Sequence, residues 1–470
     1  MSPAERTDVQ IEVAVIGAGP GGYVAAIRAA QLGLRVAVIE KEFVGGTCLN
    51  VGCIPSKALL DASHLFSQIR KASAFGIQVE GASVDFAGMQ RHKARVVKTL
   101  TAGVRGLLKR HGVEQLTGTA RFDAPGVLAV RSPDGPDLTV RADNVIVATG
   151  SVEAQLPGVP FDDTIVISSR GALELEALPD RLVIVGAGYI GLELGSVYSR
   201  LGTEVVVLEM MDRILPEMDV ELADAARKLL EQQGLDIRLG AKVSAVDVAD
   251  DSALVRYSVD DSEEAVEATR VLISIGRQPA TEGLGLDAIG LQTDDRGFIM
   301  VDHGMRTGLP GVYAIGDIVA TPMLAHVAMD EGVVAAECIA GGASAMEYDA
   351  IPAVVFTHPE LASVGLKEDE AELRGHKLKV GRFPFRGNGR ARARDDMEGW
   401  VKVIADADTD VILGVHCIGP EAGHLIHEAV VAMGYGGYSE DLALTVHAHP
   451  TLSEAFKEAA LAVDGRPLHI

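Results

Sequence analysis

The chain has 470 residues, a 48% apolar share and a net charge of −24 at neutral pH. That length leaves room for about three domains, and the acidic balance excludes general nucleic-acid binding and adsorption to an anionic membrane surface. No apolar run approaches the roughly 20 residues that span a bilayer, and the polar residues 1–10 hold no apolar signal core, so a soluble, cytoplasmic protein of a reducing compartment is expected.

In chain order, the apolar residues 11–16 read as a buried parallel strand. They lead into the glycine run Gly17, Gly19 and Gly22, then a helical stretch to Gly33 and a second strand over 35–39 that ends at Glu40. A lone G-x-G-x-x-G is weak evidence. Here it follows a strand, opens a helix and is answered by an acid at the end of the next strand, which is the dinucleotide fingerprint. The glycines let backbone approach a pyrophosphate at a helix N-terminus, and Glu40 can hold a ribose hydroxyl pair.

Next comes GGTCLNVGCIPSK over residues 45–57, which places two of only four cysteines, Cys48 and Cys53, in one six-residue window. Zinc wants more ligands than this segment offers, and no metal site is expected. A structural disulfide does not suit a chain without secretory features. A redox disulfide leads, and a pair of small buried thiols stays open. Gly52, Pro55 and Ser56 suggest a loop turning into a helix, with Pro55 in the first turn where its missing N–H costs nothing. A helix N-terminus lowers a thiol pKa. Residues five apart do not share a helix face, so bridging the two sulfurs requires an irregular first turn.

Helices are expected over about 54–73 and 84–112. The second carries Arg91, Lys93, Arg95, Lys98, Arg105, Lys109 and Arg110. Such a stripe is usually a solvated face, and docking of a partner is the alternative. Further on, the first pattern repeats. Strand, glycines and acid recur 169 residues later, with Gly186, Gly188 and Gly191 for Gly17, Gly19 and Gly22, Gly202 for Gly33 and Glu209 for Glu40. Two dinucleotide sites follow. One beside a redox disulfide suggests a flavin, and the other a nicotinamide that exchanges electrons with it. Where the first copy has Val24 the second has Glu193. Glu209 accepts ribose hydroxyls and repels a 2′-phosphate, so NAD is preferred over NADP. After residue 350 the composition changes to an α+β pattern, with strands near 378–385, 400–405 and 411–418 and helices near 366–374 and 421–433.

The segment over 45–57 closely resembles the active-site segment of the flavin-dependent pyridine nucleotide-disulfide oxidoreductases, and within them it is most similar to the dihydrolipoyl dehydrogenases. The resemblance covers about residues 10–460. It implies an α/β fold with two Rossmann-like dinucleotide-binding domains and a C-terminal α+β dimerisation domain, divided as 1–151 (FAD), 152–275 (NAD), 276–348 (central) and 349–470 (interface). It implies FAD in the first copy, contacted also by Thr47, Lys57, Gly118, Thr149, Gly150, Ser151, Asp317 and Ala325. It implies NAD in the second, contacted also by Tyr189, Ile190, Val243 and Gly276, with Glu193 paired to Lys57. The family commonly has Lys where this chain has Val327.

VHAHPTLSEAFK over residues 446–457 resembles the family's acid–base segment. His449 is then the base and Glu454, in the first turn of the next helix, its orienter; Pro450 keeps His449 out of a regular helix. His447 is left without a role, and Cys338 and Cys417 read as core thiols. By resemblance, Cys48 meets the substrate dithiol and Cys53 faces the flavin. The protein is expected to be a homodimer that serves lipoyl domains of a 2-oxoacid dehydrogenase or glycine-cleavage complex. Alternatives within enzymes are a glutathione or mercuric reductase; Glu209 speaks against the former, and no Cys-Cys pair occupies the last residues as the latter would require. A non-catalytic flavoprotein is the alternative from another class.

Overall fold

The computed structural model describes residues 7–470; the polar start read over residues 1–10 therefore lies partly outside the described residues. Two compact units emerge, one of residues 7–58, 87–154 and 276–347, the other of 59–86, 155–275 and 348–470.

The first unit is built on a sheet in the order β3 (Glu114–Thr117), β2 (Val36–Glu40), β1 (Thr7–Ile16), β6 (Leu138–Val147), β5 (Val127–Arg131) and β4 (Thr119–Ala124), with Val312–Ala314 also pairing β6. Strands β3, β2, β1 and β6 run parallel. Val13, Ala14 and Val15 are fully buried, as suits a strand covered on both faces. Helix α1 (Pro20–Gln31) packs against helix Ala325–Ile339. The approach is close because both helices offer glycine: a Cβ on Gly21 would sit 2.8 Å from the Ala328 carbonyl oxygen, and one on Gly332 2.6 Å from that of Gly21. Between β2 and β3 come α2 (Gly46–Val51), α3 (Cys53–Lys71) and α4 (Phe86–Arg110).

In the second unit a parallel sheet runs Leu235–Arg238, Glu204–Leu208, Arg181–Val185, Arg270–Ile273, Val166–Ile167. A three-stranded antiparallel sheet spans 242–268, and a five-stranded antiparallel sheet runs Ala353–Val355, Glu360–Gly365, Ile412–Gly419, Trp400–Asp406, Leu378–Pro384. Helices Ala422–Gly434 and Glu454–Val463 cover this last sheet, and Phe383, Val403, Val415, Ile426 and Phe456 fill its core. Lys402 is fully buried in that unit. Its ammonium donates to Asp219 at 2.9 and 3.0 Å, to Glu368 at 2.8 Å and to Glu221 at 3.1 Å. Burial works against this charge, but Glu368 and Asp219 outweigh it and hold the lysine above its ordinary pKa. Asp219 also caps helix Val220–Gln232 by accepting the Glu221 and Leu222 N–H groups.

Among the described residues no helix is long and apolar enough to cross a membrane, and no group of three or more His, Cys, Asp or Glu is placed to hold a metal ion.

Candidate active site

Strands β1, β2 and β6 end together: Ile16 is in register with Ile39 and with Val147. The carboxyl edge of a parallel sheet is where such folds bind ligands, and the first cradle forms there. Gly17 has φ +101°, and a Cβ on it would lie 2.3 Å from the Ala148 carbonyl oxygen; a Cβ on Gly22 would lie 2.0 Å from that of Gly17. Glu40 accepts the Ala18 N–H at 2.7 Å through one carboxylate oxygen, and those of Glu42 at 2.8 Å and Phe43 at 3.2 Å through the other. Gly118 donates its N–H to the Glu40 carbonyl at 2.9 Å and so sits at the same edge.

The second cradle repeats this arrangement, short of a counterpart to the Phe43 bond. Val185 is in register with Leu208 and Ile273. Gly186 has φ +103° and lies under the Ser274 carbonyl, and a Cβ on Gly191 would lie 2.3 Å from the Gly186 oxygen. Glu209 accepts the Ala187 N–H at 2.7 Å and the Met211 N–H at 2.8 Å. Each cradle thus combines glycines that admit no side chain, a helix N-terminus and an acid with acceptor capacity left for ribose hydroxyls. That donor and acceptor set fits a dinucleotide in both.

Gly45 and Gly46 take positive φ, and Gly45 donates to the Ala18 carbonyl at 2.8 Å, which fastens the redox segment to the first cradle. The expected loop is instead a short helix, α2. It ends at Gly52, whose φ of −145° and ψ of −111° break the helical path before α3 starts at Cys53. This break is the irregularity that residues five apart need in order to meet. Cys48 is hydrogen-bonded to Cys53; that bond, then burial, then charge on Cys53 raise the Cys48 thiol well above its ordinary pKa, against a smaller pull from Lys57. Asn50, between the two cysteines, donates to the Gly46 carbonyl at 2.9 Å and accepts from the Thr101 hydroxyl on α4 at 3.2 Å.

Ser151 donates to Asp317 at 2.5 Å, and Thr149 to the Ala280 carbonyl at 2.9 Å. Two residues missing from the sequence reading hold this corner. Arg277 donates to the Ser151 hydroxyl at 2.7 Å and to its carbonyl at 2.8 Å. Glu331, fully buried, accepts the Gly316 N–H at 2.6 Å and the Thr321 hydroxyl at 2.8 Å, fixing the turn that carries Asp317. Helix 325–339 also carries His326, Asp330 and Glu337, so its sequence does not single out Glu331 as the buried acid. Ala325 is the first residue of its helix. Gly276, with φ +128°, accepts the Ala154 N–H at 3.0 Å.

In the second unit Tyr189 and Ile190 open helix Tyr189–Arg200, and Val243 lies on strand Lys242–Val248. Glu193 is 5% exposed, which rules out a surface glutamate, and it accepts the Phe356 N–H at 3.0 Å. His449, with its side chain 77% exposed, is 2.9 Å from Glu454. Burial pushes the Glu454 carboxyl up, but the Thr451 N–H and His449 outweigh it and hold it below its ordinary pKa. His447 bonds Glu428 at 2.6 Å and the Thr445 carbonyl at 3.0 Å, an anchor for the segment. Also in this unit, the His64 and His358 rings pack together at a 40° tilt with centroids 4.1 Å apart. His358 approaches Asp396 at 3.6 Å, and the buried His64 Nδ1 has no hydrogen-bond partner.

The pyridine nucleotide-disulphide oxidoreductase family model matches residues 11–332, and the dimerisation-domain model of the same family matches 351–460. A mitochondrial dihydrolipoyl dehydrogenase of Pisum sativum is 47% identical, over 98% of this chain and 92% of its own length. Dihydrolipoyl dehydrogenase 3 of Pseudomonas aeruginosa is also 47% identical, over 97% of this chain and 98% of its own. Among solved structures, LpdA of Mycobacterium tuberculosis matches with a TM-score of 0.90 at 30% identity, covering 96% of this chain and 99% of that one. The two cradles, the paired thiols beside the first of them and these matches converge: the chain belongs to the pyridine nucleotide-disulphide oxidoreductase family, whose cofactors are FAD and NAD.

Proposed function

We propose that this enzyme reoxidises protein-bound dihydrolipoyl groups and reduces NAD+ to NADH. The observation that carries the reading is the Cys48–Cys53 pair, two thiols in hydrogen-bond contact on a segment fastened to the first cradle. Relatives named dihydrolipoyl dehydrogenase along the whole chain supply the substrate.

In the oxidised enzyme Cys48 and Cys53 share a disulfide. His449 takes a proton from the substrate dithiol, and the resulting thiolate attacks Cys48 Sγ, releasing Cys53 as thiolate. The second substrate thiol passes its proton to solvent as its sulfur closes the lipoyl ring and expels Cys48 as thiolate, which takes the proton held by His449. Glu454 fixes the imidazole by its bond to Nδ1. When bound, FAD would supply the two-electron relay from the reduced pair to NAD+, and re-forming the Cys48–Cys53 bond frees the Cys48 proton that NADH formation takes up. Gly17, Gly19, Gly22, Glu40, Thr47, Lys57, Gly118, Thr149, Gly150, Ser151, Asp317 and Ala325 would hold FAD. Gly186, Gly188, Tyr189, Ile190, Gly191, Glu193, Glu209, Val243 and Gly276 would hold NAD.

The division 1–151, 152–275, 276–348 and 349–470 belongs to the same reading, as do a cytoplasmic setting and lipoyl domains as partners. In the homodimer, His449 of one subunit serves Cys48 of the other. Val446, three residues before His449, is 91% exposed, which supports a covered face there.

The purified holoenzyme is expected to reduce NAD+ with dihydrolipoamide. Cys48→Ser is expected to leave a Cys53 thiolate visible as a long-wavelength absorbance beside oxidised flavin, and Cys53→Ser to lack it. No turnover of dihydrolipoamide, or the reverse spectral pattern, refutes respectively the substrate and the thiol roles.

A further inference from the structure

Helix α4 spans Phe86–Arg110 without one acidic residue, in a chain with 66 acidic and 42 basic side chains. Lys93 is 3% exposed and so leaves the surface. Arg91, Arg95, Lys98, Arg105 and Lys109 are all exposed, with exposed Ala102 among them. Their spacing of four, three, four, three and four residues puts all six on one helical face, about 27 Å long at 1.5 Å per residue. Elsewhere arginines find acids: Arg121 with Asp123, Arg227 with Glu231, Arg256 with Asp247 and Arg394 with Glu421. Among the described residues, no carboxylate lies within ion-pair distance of Lys98, Arg105 or Lys109, and Arg95 reaches only His92, at 3.0 Å. Arg91 and Arg95, Arg95 and Lys98, and Arg105 and Lys109 are like charges three or four apart, each pair unfavourable for the helix. A face kept only for solvation would gain by alternating with glutamate.

The stripe also has an address. Thr101 lies three residues after Lys98 and four before Arg105, and its hydroxyl bonds Asn50 between the two redox cysteines. The basic face thus flanks the thiol segment inside one compact unit. We propose that α4 is the landing surface for an acidic face of the protein that carries the dihydrolipoyl group. This rests on the activity proposed above. The overall charge of −24 repels a nucleic acid or an anionic membrane at long range, whereas a folded domain can bring a local acidic patch to the stripe.

The test replaces Arg95, Lys98, Arg105 and Lys109 together by Glu, and in a second variant by Gln. Each holoenzyme is assayed with free dihydrolipoamide and with an isolated acidic lipoyl domain in its dihydrolipoyl form. The Glu variant is expected to lose about tenfold or more in kcat/KM for the domain and to stay within about twofold for the free dithiol; the Gln variant falls between. Raising salt from about 50 to 500 mM lowers the wild-type value for the domain and leaves the Glu variant's unchanged. Equal kcat/KM for the domain in all three proteins overturns the proposal, as does parallel loss with both substrates. Binding of a DNA duplex or phosphatidylserine vesicles that depends on the stripe, with turnover of the domain unaffected, overturns it in favour of those partners. If wild type does not oxidise free dihydrolipoamide, the activity itself is wrong and the carrier falls with it.

Discussion

The two cradles are near copies in sequence and in hydrogen bonding, and they part company at their rims. Over the first, Gly46 presses in: a Cβ on Gly46 would stand 2.5 Å from the Gly19 Cα. A Cβ on Gly19 itself would meet the Gly46 Cα at 3.9 Å, and one on the matching Gly188 meets nothing within 4 Å. The first cradle lies under the chain that carries the thiols, Gly45 donating to the Ala18 carbonyl at 2.8 Å; over the second, Leu215 donates to the Ala187 carbonyl at 3.1 Å on a segment without a thiol. On the proposed reading one architecture serves a resident flavin and an exchanging nicotinamide, and the difference lies in what the chain does after the acid.

The sharpest way to break this contrast is to place the same methyl group in both copies. Gly22→Ala puts a Cβ against the Gly17 carbonyl, and Gly191→Ala does the same against Gly186. Overpacking of this kind costs about 1–3 kcal/mol. Gly22→Ala is expected to purify without flavin and without activity. Gly191→Ala is expected to keep its flavin absorbance while the KM for NAD+ rises about tenfold or more. Equal flavin content in the two variants would erase the distinction.

Next in size is the subunit assignment of the base. Cys53→Ser and His449→Ala, each inactive, are unfolded and refolded together. Half the dimers are then mixed, and one of the two sites in each mixed dimer carries no defect if the site is shared across the two-fold axis. About a quarter of wild-type activity is expected to return. No recovery, with mixed dimers confirmed by tagging, places cysteines and histidine in one subunit.

Much of this was legible. A period of 169 residues disclosed both cradles, because glycine at those positions answers to backbone contact and the terminal acid to ligand geometry. What escaped was set by distant packing. Strand β1 starts at Thr7, four residues before its apolar run, because pairing with β6 continues down to Leu138. The thiol segment became helical up to Gly52, where glycine's freedom permits the break. Arg277 stands 126 residues from Ser151, and no local pattern links them.

Glu209 sharpens the contrast on the exchanging side. Removing its carboxylate deletes a charged hydrogen bond to ribose, a loss of about 1.5–3 kcal/mol. Glu209→Ala is expected to lower kcat/KM for NAD+ by about 10–100-fold, narrow the margin over NADP+, and leave flavin content unchanged. Comparable rates with NADH and NADPH in the unaltered enzyme would defeat the basis of this prediction.

The smallest effect concerns stability in acid. Burial, then His358 and Arg200, lower His64 to about 4, and burial, then Arg200, lower His358 to about 4. Both are neutral in the fold, whereas the unfolded chain takes up protons from about pH 6.5 downward. Stability from this pair is complete above about 6.5 and declines as pH falls toward 4. Calorimetry is expected to show that decline, and His64→Gln to flatten it by about 2–4 °C in Tm. An unchanged slope in the variant excludes the His64–His358 pair as its source.

Lys402 bears on how such a molecule can be remodelled. Its ammonium, on the five-stranded sheet, holds the aspartate that caps helix Val220–Gln232 of the nucleotide-binding layer. Exchanging either piece for that of a relative with a different pairing would strand a buried charge, at a cost of about 3–5 kcal/mol. A chimera joined between the two must therefore inherit Lys402 and Asp219 together, or replace both with apolar residues of matching volume.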